Sequence, residues 1–298
     1  MIGGILMILV TGASGALGRL VIDHLAGSPA ARLAEAPGDR LVVAGTRNPE
    51  SVPAGVPVRR VDFDDPASLA DAFAGVDRLL LISAGYGEDD EVIARHGAAI
   101  DAAEKAGVGH IVYTSLSADG DHLTYAPAHR WTERRLRSGT ARWTILRNGL
   151  YAELLATLTP VEDGRITAPL GQGRLAAVAR RDLAEAAARV VADAAAHEGR
   201  TYELVGEEAV GGADLAVLYS RITGAAVSYG PGTLARTREA FTALGLAPFQ
   251  VPMLVSTYSA IAGGFLGRTG GDLRTLLGRA PRSALEVIAE TVQAGSPA

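Results

Sequence analysis

The chain has no cysteine among its 298 residues. Disulfides, thiolate catalysis and cysteine-ligated metals are therefore excluded, and a cytoplasmic setting is expected. A basic excess is missing too: 28 Lys and Arg stand against 33 Asp and Glu, for a formal net charge of -5. Nothing in that balance forms an electrostatic footprint for nucleic acid. Metal-ligand spacings of the H-E-x-x-H kind are absent. The acidic run Glu88-Asp89-Asp90-Glu91 suits a helix N-terminus, so no metal site is expected. Long apolar runs are lacking as well. The longest uncharged stretch, residues 240–267, is broken by Gly245, Pro248, Gln250 and Pro252, which argues against a membrane span. The apolar start, residues 1–10, has neither the positive beginning nor the cleavage site of a signal peptide. Met7 is an alternative start, with the first six residues an extension. No internal repeat occurs.

What is present is 48% hydrophobic and 20% charged residues, the balance of a soluble globular protein. Up to about residue 150, strand and helix patterns alternate. Segments 8–11, 41–44, 58–61, 77–83, 108–114 and 143–146 read as strands. Segments 15–26, 66–74, 89–106 and 128–138 read as helices, with residues 28–39 a loop. Near-continuous apolar runs such as Leu79-Leu80-Leu81-Ile82 suit strands buried on both faces. The alternation predicts an α/β fold, a Rossmann-type doubly wound parallel sheet, with ligands beyond the carboxyl ends of the strands. After residue 150 the regularity breaks. A Gly- and Pro-rich loop or short strand is expected at 164–173, and a helix at 182–196 with Asp182 as its N-cap. A strand is expected at 201–205, and mostly helix from 213 onward. The domain reading is 1–150 for nucleotide binding and 151–298 for a smaller C-terminal α+β substrate lobe, some segments of which can return to the first domain.

The strongest motif is Thr11-Gly12-Ala13-Ser14-Gly15-Ala16-Leu17-Gly18, which follows the first strand and opens the first helix. Gly12 allows the tight turn, Gly15 lets the backbone approach a pyrophosphate, and Gly18 lets the helix pack on the sheet. Peptide N–H groups at the helix start, with Ala16 and Leu17, then face the phosphates, and the Ser14 hydroxyl adds a donor. The same serine fails as a G-x-S-x-G nucleophile, because Ala16 fills the last position. The second strand ends Thr46-Arg47-Asn48-Pro49 without the acid that binds the ribose of NAD. Arg47 can pair with the 2′-phosphate instead, which favours NADP(H) while leaving NAD(H) open. Asp62 and Phe63, after the third strand, are candidates for the adenine pocket; a core Phe beside a helix cap is the alternative.

These stretches, with Leu80-Leu81-Ile82-Ser83, Tyr113-Thr114-Ser115-Leu116, Leu146-Arg147-Asn148-Gly149, Arg181-Asp182 and Glu198-Gly199-Arg200-Thr201-Tyr202-Glu203-Leu204, resemble the NmrA-like atypical short-chain dehydrogenases/reductases. Within that group the chain is most similar to the type 2 NAD(P)H:quinone oxidoreductases, well over residues 7–205 and weakly beyond. The resemblance implies a Rossmann domain, a small substrate lobe and a cleft between them. It places Ser83 and Ala84 along the cofactor, and Thr114, Ser115 and Leu116 at its nicotinamide end. Asn148, Gly149 and Tyr151 would face nicotinamide and substrate.

Short-chain dehydrogenases usually pair a Tyr with a Lys four residues on, the Lys holding the ribose and lowering the Tyr pKa. Here Tyr125-Ala126-Pro127-Ala128-His129 keeps the spacing but replaces Lys with His, and Pro127 disturbs the helical pattern. His129 can hold the ribose or donate a proton itself; lining a helix start is its plain structural alternative. A quinone relieves the missing Lys, since it accepts hydride readily and can take protons from water or from weak donors such as Tyr125, His129 or Asn148. The expectation is an NADPH-dependent oxidoreductase acting on a quinone or small carbonyl. A non-catalytic NADP(H)-sensing regulator working through a protein partner is the alternative. His96 reads as a helix-surface residue.

Overall fold

The computed structural model describes residues 5–27, 40–52, 55–84 and 87–295; the loop expected at 28–39 lies outside these. The elements run β1 (Leu6–Val10), α1 (Ala16–Gly27), β2 (Arg40–Thr46), β3 (Val58–Arg60), α2 (Pro66–Phe73), β4 (Arg78–Ile82), α3 (Asp89–Lys105), β5 (His110–Leu116), α4 (Ala126–Arg137), β6 (Arg142–Asn148), α5 (Ala152–Leu158), β7 (Val161–Glu162), β8 (Arg165–Ile166), β9 (Arg174–Leu175), α6 (Arg180–Ala192), β10 (Thr201–Leu204), β11 (Val210–Gly211), α7 (Gly212–Thr223), β12 (Ser228–Tyr229), α8 (Leu234–Ala243), α9 (Gln250–Ala262), α10 (Asp272–Leu277) and α11 (Ala284–Gln293).

Chain contacts divide these residues into two compact units, each made of several segments. One holds residues 1–115, 128–147 and 183–202; the other holds 116–127, 148–182 and 203–298.

The first unit is built on a seven-stranded sheet in the order β10-β6-β5-β4-β1-β2-β3. β1 pairs parallel with both β2 and β4, and the β2–β3 and β4–β5 pairs are parallel too. The strand order reverses between β1 and β4, so this is the Rossmann-type doubly wound fold, and the reversal is its ligand-binding switch point. The central strands have no wet face: Leu79, Leu80 and Leu81 are fully buried, as are Ile111, Val112 and Tyr113. Helix starts follow local chemistry. Asp65 caps α2, accepting N–H bonds from Ala67 at 3.2 Å and Ser68 at 3.5 Å, and Pro66 opens the helix where no N–H is needed. Asp89, Asp90 and Glu91 lie in the first turn of α3 and Lys105 in its last, matching the helix dipole.

The second unit has its own core, with Leu155, Ile166, Leu170, Tyr219, Tyr258, Ile261 and Ile288 among its members. Its β7–β8 pair is an antiparallel hairpin, joined in parallel by β12, and β9 pairs antiparallel with β11. Among the described residues no helix is long and apolar enough to cross a membrane. The uncharged 240–267 stretch holds only the 13-residue α9 as regular structure beyond the end of α8.

Two local expectations need correction. Asp182 is not an N-cap, because α6 begins at Arg180 and Asp182 already lies in its first turn. Its fully buried carboxylate accepts instead from the Arg279 guanidinium at 2.8 Å and the Arg282 backbone N–H at 2.6 Å. His96 is not on the surface of α3 but completely buried.

Candidate functional site

The glycine turn sits where β1 meets α1, at the switch point of the sheet. Gly12 has φ +61°, a conformation that L side chains rarely adopt. Its carbonyl accepts the Gly15 N–H at 2.9 Å and closes the turn. A Cβ on Gly18 would stand 2.2 Å from the Gly12 oxygen, which no rearrangement of side chains could relieve. A Cβ on Gly15 would meet that oxygen at 3.2 Å. Gly18 is thus demanded by packing, whereas Gly15, exposed with Gly12 and Ala16, faces outward. The first N–H groups of α1 have no partners within the helix. Leu17 turns inward and is buried.

Beside this turn lies the end of β2. Thr46 Oγ1 accepts the Asn48 N–H at 3.2 Å and donates to Ser14 Oγ at 2.9 Å. That leaves the Ser14 proton free to be given away. Arg47 is exposed and has no ion pair among the described residues. The carboxylate it influences, Asp64, is held by Arg95 through contacts of 2.7 and 3.1 Å, which together with Arg47 keep Asp64 below the usual range. A turn that leaves peptide N–H groups, a hydroxyl proton and an unneutralised guanidinium side by side fits a phosphorylated nucleotide. Asp62 accepts from Arg60 at 3.0 Å and from the Asp64 N–H at 3.2 Å. Phe63 packs against the sheet's core, edge-on to His96.

The carboxyl ends of β4 and β5 carry a denser arrangement. Ser83 N–H donates to Thr114 Oγ1 at 3.0 Å, and Ala84 N–H donates to His96 Nε2 at 3.0 Å. Because Nε2 accepts, the proton of His96 is on Nδ1, which donates to Thr132 Oγ1 at 2.8 Å; Thr132 donates in turn to the Ala128 carbonyl at 2.8 Å. Burial pushes the His96 pKa down to about 3. Tyr113 meets His129 Nδ1 at 2.8 Å, and His129 is pushed down to about 4, by burial first and then by Arg130. Ser115 donates to the buried Glu133 at 2.7 Å. Glu133 also accepts from Arg147 at 2.8 and 2.7 Å and Arg130 at 3.0 Å, with Arg137 at 3.3 Å. Burial raises its pKa, but these partners outweigh that and hold it below the ordinary carboxylate value.

Pro127 falls in the first turn of α4, where a missing N–H costs nothing. Tyr125 precedes the helix, so it and His129 are not two residues one turn apart on a helical face. In the second unit Leu116 is a core residue and Tyr125 packs against that core. Asn148 is buried; its backbone carbonyl accepts the Ser117 N–H at 2.9 Å, while its Oδ1 has no partner among the described residues. Gly149 donates to the Leu204 carbonyl at 2.9 Å, and a Cβ there would meet that carbonyl at 3.1 Å. Tyr151 carries the Arg180 guanidinium 4.7 Å above its ring. Sequence reasoning missed His96, Thr132 and Glu133. Position 96 could have been found, since Val92, Ala99, Ile100 and Ala103 define the buried stripe of α3 and His96 lies on it. A cleft of about 470 Å³ lined by Arg59, Arg60, Asp65 and Asp71 lies along β3 and α2 and includes none of the glycine-turn residues. Among the described residues no cluster suited to a metal ion occurs.

A profile of a family described as NAD(P)H-binding matches residues 12–194. The chain is 35% identical to quinone oxidoreductase 2 of Escherichia coli strain K12 over 289 residues, covering 95% of this chain and 97% of that one. The solved NADPH-dependent quinone oxidoreductase of E. coli, complexed with NADPH, superposes with a TM-score of 0.84 at 34% identity, covering 96% and 100% of the two chains. The Citrobacter sp. triphenylmethane reductase complexed with NADP(H) gives 0.83 at 33% identity, covering 96% and 99%.

Proposed function

The chain belongs to the NAD(P)H-binding family, and from that premise we propose that it is an NADPH-dependent oxidoreductase that passes hydride to a quinone or a related small carbonyl compound. The observation that carries this reading is the Gly12–Gly15–Gly18 turn at the sheet's switch point, in a chain that parallels a quinone oxidoreductase nearly end to end. The first domain of the sequence reading, residues 1–150, is the nucleotide-binding part in this proposal, and 151–298 serves the acceptor. The cytoplasmic setting expected from the sequence is kept.

In this reading the first N–H groups of α1, with Gly12, Gly15, Ala16, Leu17 and Gly18 shaping the turn, hold the pyrophosphate, and Ser14 donates its proton to it. Arg47 holds the 2′-phosphate; Asp62 and Phe63 border the adenine. Ser83, Ala84, Thr114, Ser115 and Leu116 form the wall along the rest of the nucleotide. NADPH supplies a hydride, and one proton from the protein or water completes reduction of a quinone to a hydroquinone. Asn148, Gly149 and Tyr151 orient the acceptor, and His129, Tyr125 or Asn148 stabilises the oxygen on which charge develops. Asn148 would do so through its amide N–H, while its buried Oδ1, without a partner among the described residues, is an acceptor suited to an O–H or N–H of the ligand.

A second reading, an NADP(H)-sensing regulator, is favoured by one observation: His129 stands where a Tyr–Lys pair would place Lys, and burial keeps it neutral. The experiment that separates the two is oxidation of NADPH and of NADH by the purified protein, with and without benzoquinone. Quinone-dependent turnover is expected, faster with NADPH. Arg47→Ala should reduce the preference for NADPH about tenfold, roughly 1.4 kcal/mol. Tight NADPH binding without turnover on quinones or simple carbonyls would give the regulator reading precedence.

A further inference from the structure

Tyr113 is fully buried, so its O–H must find an acceptor within the fold. The contact that meets both distance and angle is the 2.8 Å one to Nδ1 of His129. The hydroxyls of Thr132 and Ser83 also approach the phenol. Neither reaches it with the distance and angle of a hydrogen bond, and Thr132 gives its own proton to the Ala128 carbonyl. With the phenol donating to Nδ1, the one proton of a neutral His129 must be on the other ring nitrogen. That nitrogen has no hydrogen bond among the described residues, and His129 is only partly buried.

We propose that Tyr113 is a positioning residue that fixes His129 as a neutral imidazole with its proton on Nε2, a donor for a hydroxyl or carbonyl oxygen of a bound ligand. The neighbouring histidine is fixed in the opposite sense: His96 carries its proton on Nδ1, because the Ala84 N–H occupies its Nε2. The Tyr113 ring lies between the two, 5.5 Å from His96 and 6.1 Å from His129. Both relays reach the first turn of α4, through Ala128 and His129, so that the helix start is held against the ends of β4 and β5 by two side-chain bridges. The charged and titratable groups facing His129 are Arg130 and Glu133 on α4, Tyr113 on β5 and His96 on α3. Arg130 opposes protonation and Glu133 favours it, while burial exceeds both. His129 therefore works as an uncharged donor, unlike the lysine of a Tyr–Lys pair. What the donor serves rests on the proposed function; the tautomer itself does not.

Nitrogen-15 histidine labelling of the full chain tests this, with two-bond proton–nitrogen correlation spectra read without nucleotide between about pH 6 and 8. His129→Asn assigns the signals. Wild type should show His129 as the Nε2–H tautomer throughout, and His96 as the Nδ1–H tautomer. In Tyr113→Phe, His129 should lose its single tautomer and titrate closer to about 6.5, with the His110 and His197 signals unmoved as a check on folding. Its kcat for quinone reduction should fall about tenfold, the scale of one lost hydrogen bond, with the KM for NADPH within about twofold of wild type. A wild-type His129 carrying its proton on Nδ1, or titrating within that range, would overturn the assignment. The wild-type spectrum alone decides this should Tyr113→Phe fail to fold. A wild-type Nε2–H tautomer in a protein with no reductase activity would leave the tautomer standing and remove the proposed function.

Discussion

At the end of β1 the first unit presents backbone; at the ends of β4 and β5 it hides side chains. The glycine turn is exposed at Gly12, Gly15 and Ala16, and the groups it offers a ligand are peptide N–H, a hydroxyl proton and the nearby Arg47. Around β5, α3 and α4 the reverse holds. His96 is buried, Glu133 is gripped by Ser115, Arg130 and Arg147, and Tyr113 is matched to His129. The first region leaves donors open, and the second is nearly complete in itself. The difference is one of cost. Open peptide groups are solvated by water until a ligand arrives, whereas buried polar groups must be satisfied within the fold.

Acid should break the buried region first and by the largest amount. His96, His110 and His129 have folded pKa values pushed down to about 3, 4 and 4 by burial. An unfolded histidine takes up a proton near pH 6.5. The unfolded state therefore binds more protons as pH falls below that value, and stability drops between about pH 6.5 and 4, ahead of most carboxylates. Urea midpoints measured from pH 8 downward should fall steeply in this window, and His110→Gln should flatten part of the slope. A midpoint constant down to about pH 5 would mean that these imidazoles are already accessible to protons.

Gly18→Ala comes next, and it tests the turn rather than the network. The new methyl would be driven into the Gly12 carbonyl, costing about 1–3 kcal/mol of stability. NADPH binding by calorimetry should be lost with it. Gly15→Ala is its control, because that Cβ has only a 3.2 Å contact to accommodate; it should keep the stability and weaken the nucleotide. Equal stability losses in both would remove the distinction between a packing glycine and a binding glycine.

The smallest effect is expected of Ser14→Ala. It removes one donor to a phosphate and one acceptor for Thr46, a net of about 0.5–1.5 kcal/mol. NADPH affinity should weaken several-fold while the unfolding midpoint barely moves. A stability loss without an affinity loss would make Ser14 a brace for β2 and not a ligand group.

How much of this was legible follows from where the information sits. The turn is written in consecutive residues, and its strand-turn-helix setting and most helix limits follow from local apolar spacing. The interior of the first unit is written in pairs far apart. His96 meets Thr132, 36 residues away, and Ser115 meets Glu133, 18 residues away. Helix α3 is polar overall, which drew His96 toward the surface although it lies on the apolar stripe with Val92 and Ile100. Tyr125 and His129 have the right separation in sequence, but the helix begins between them. In the second unit the paired strands are only two residues long, too short for any periodicity. The Asp163-Gly164 dipeptide, with φ of +48° and +71°, is a local signal for the β7–β8 hairpin alone.

Asp182 also sets a timetable. Its carboxylate waits for Arg279, 97 residues later, and for the Arg282 N–H. A ribosome adding about 5–20 residues per second leaves that acid without its partners for on the order of 5–20 s. During that interval the start of α6 holds a negative charge that cannot be buried favourably. The second unit can close around it only when its last helices emerge, while the glycine turn of the first unit has had all its residues since the beginning of synthesis.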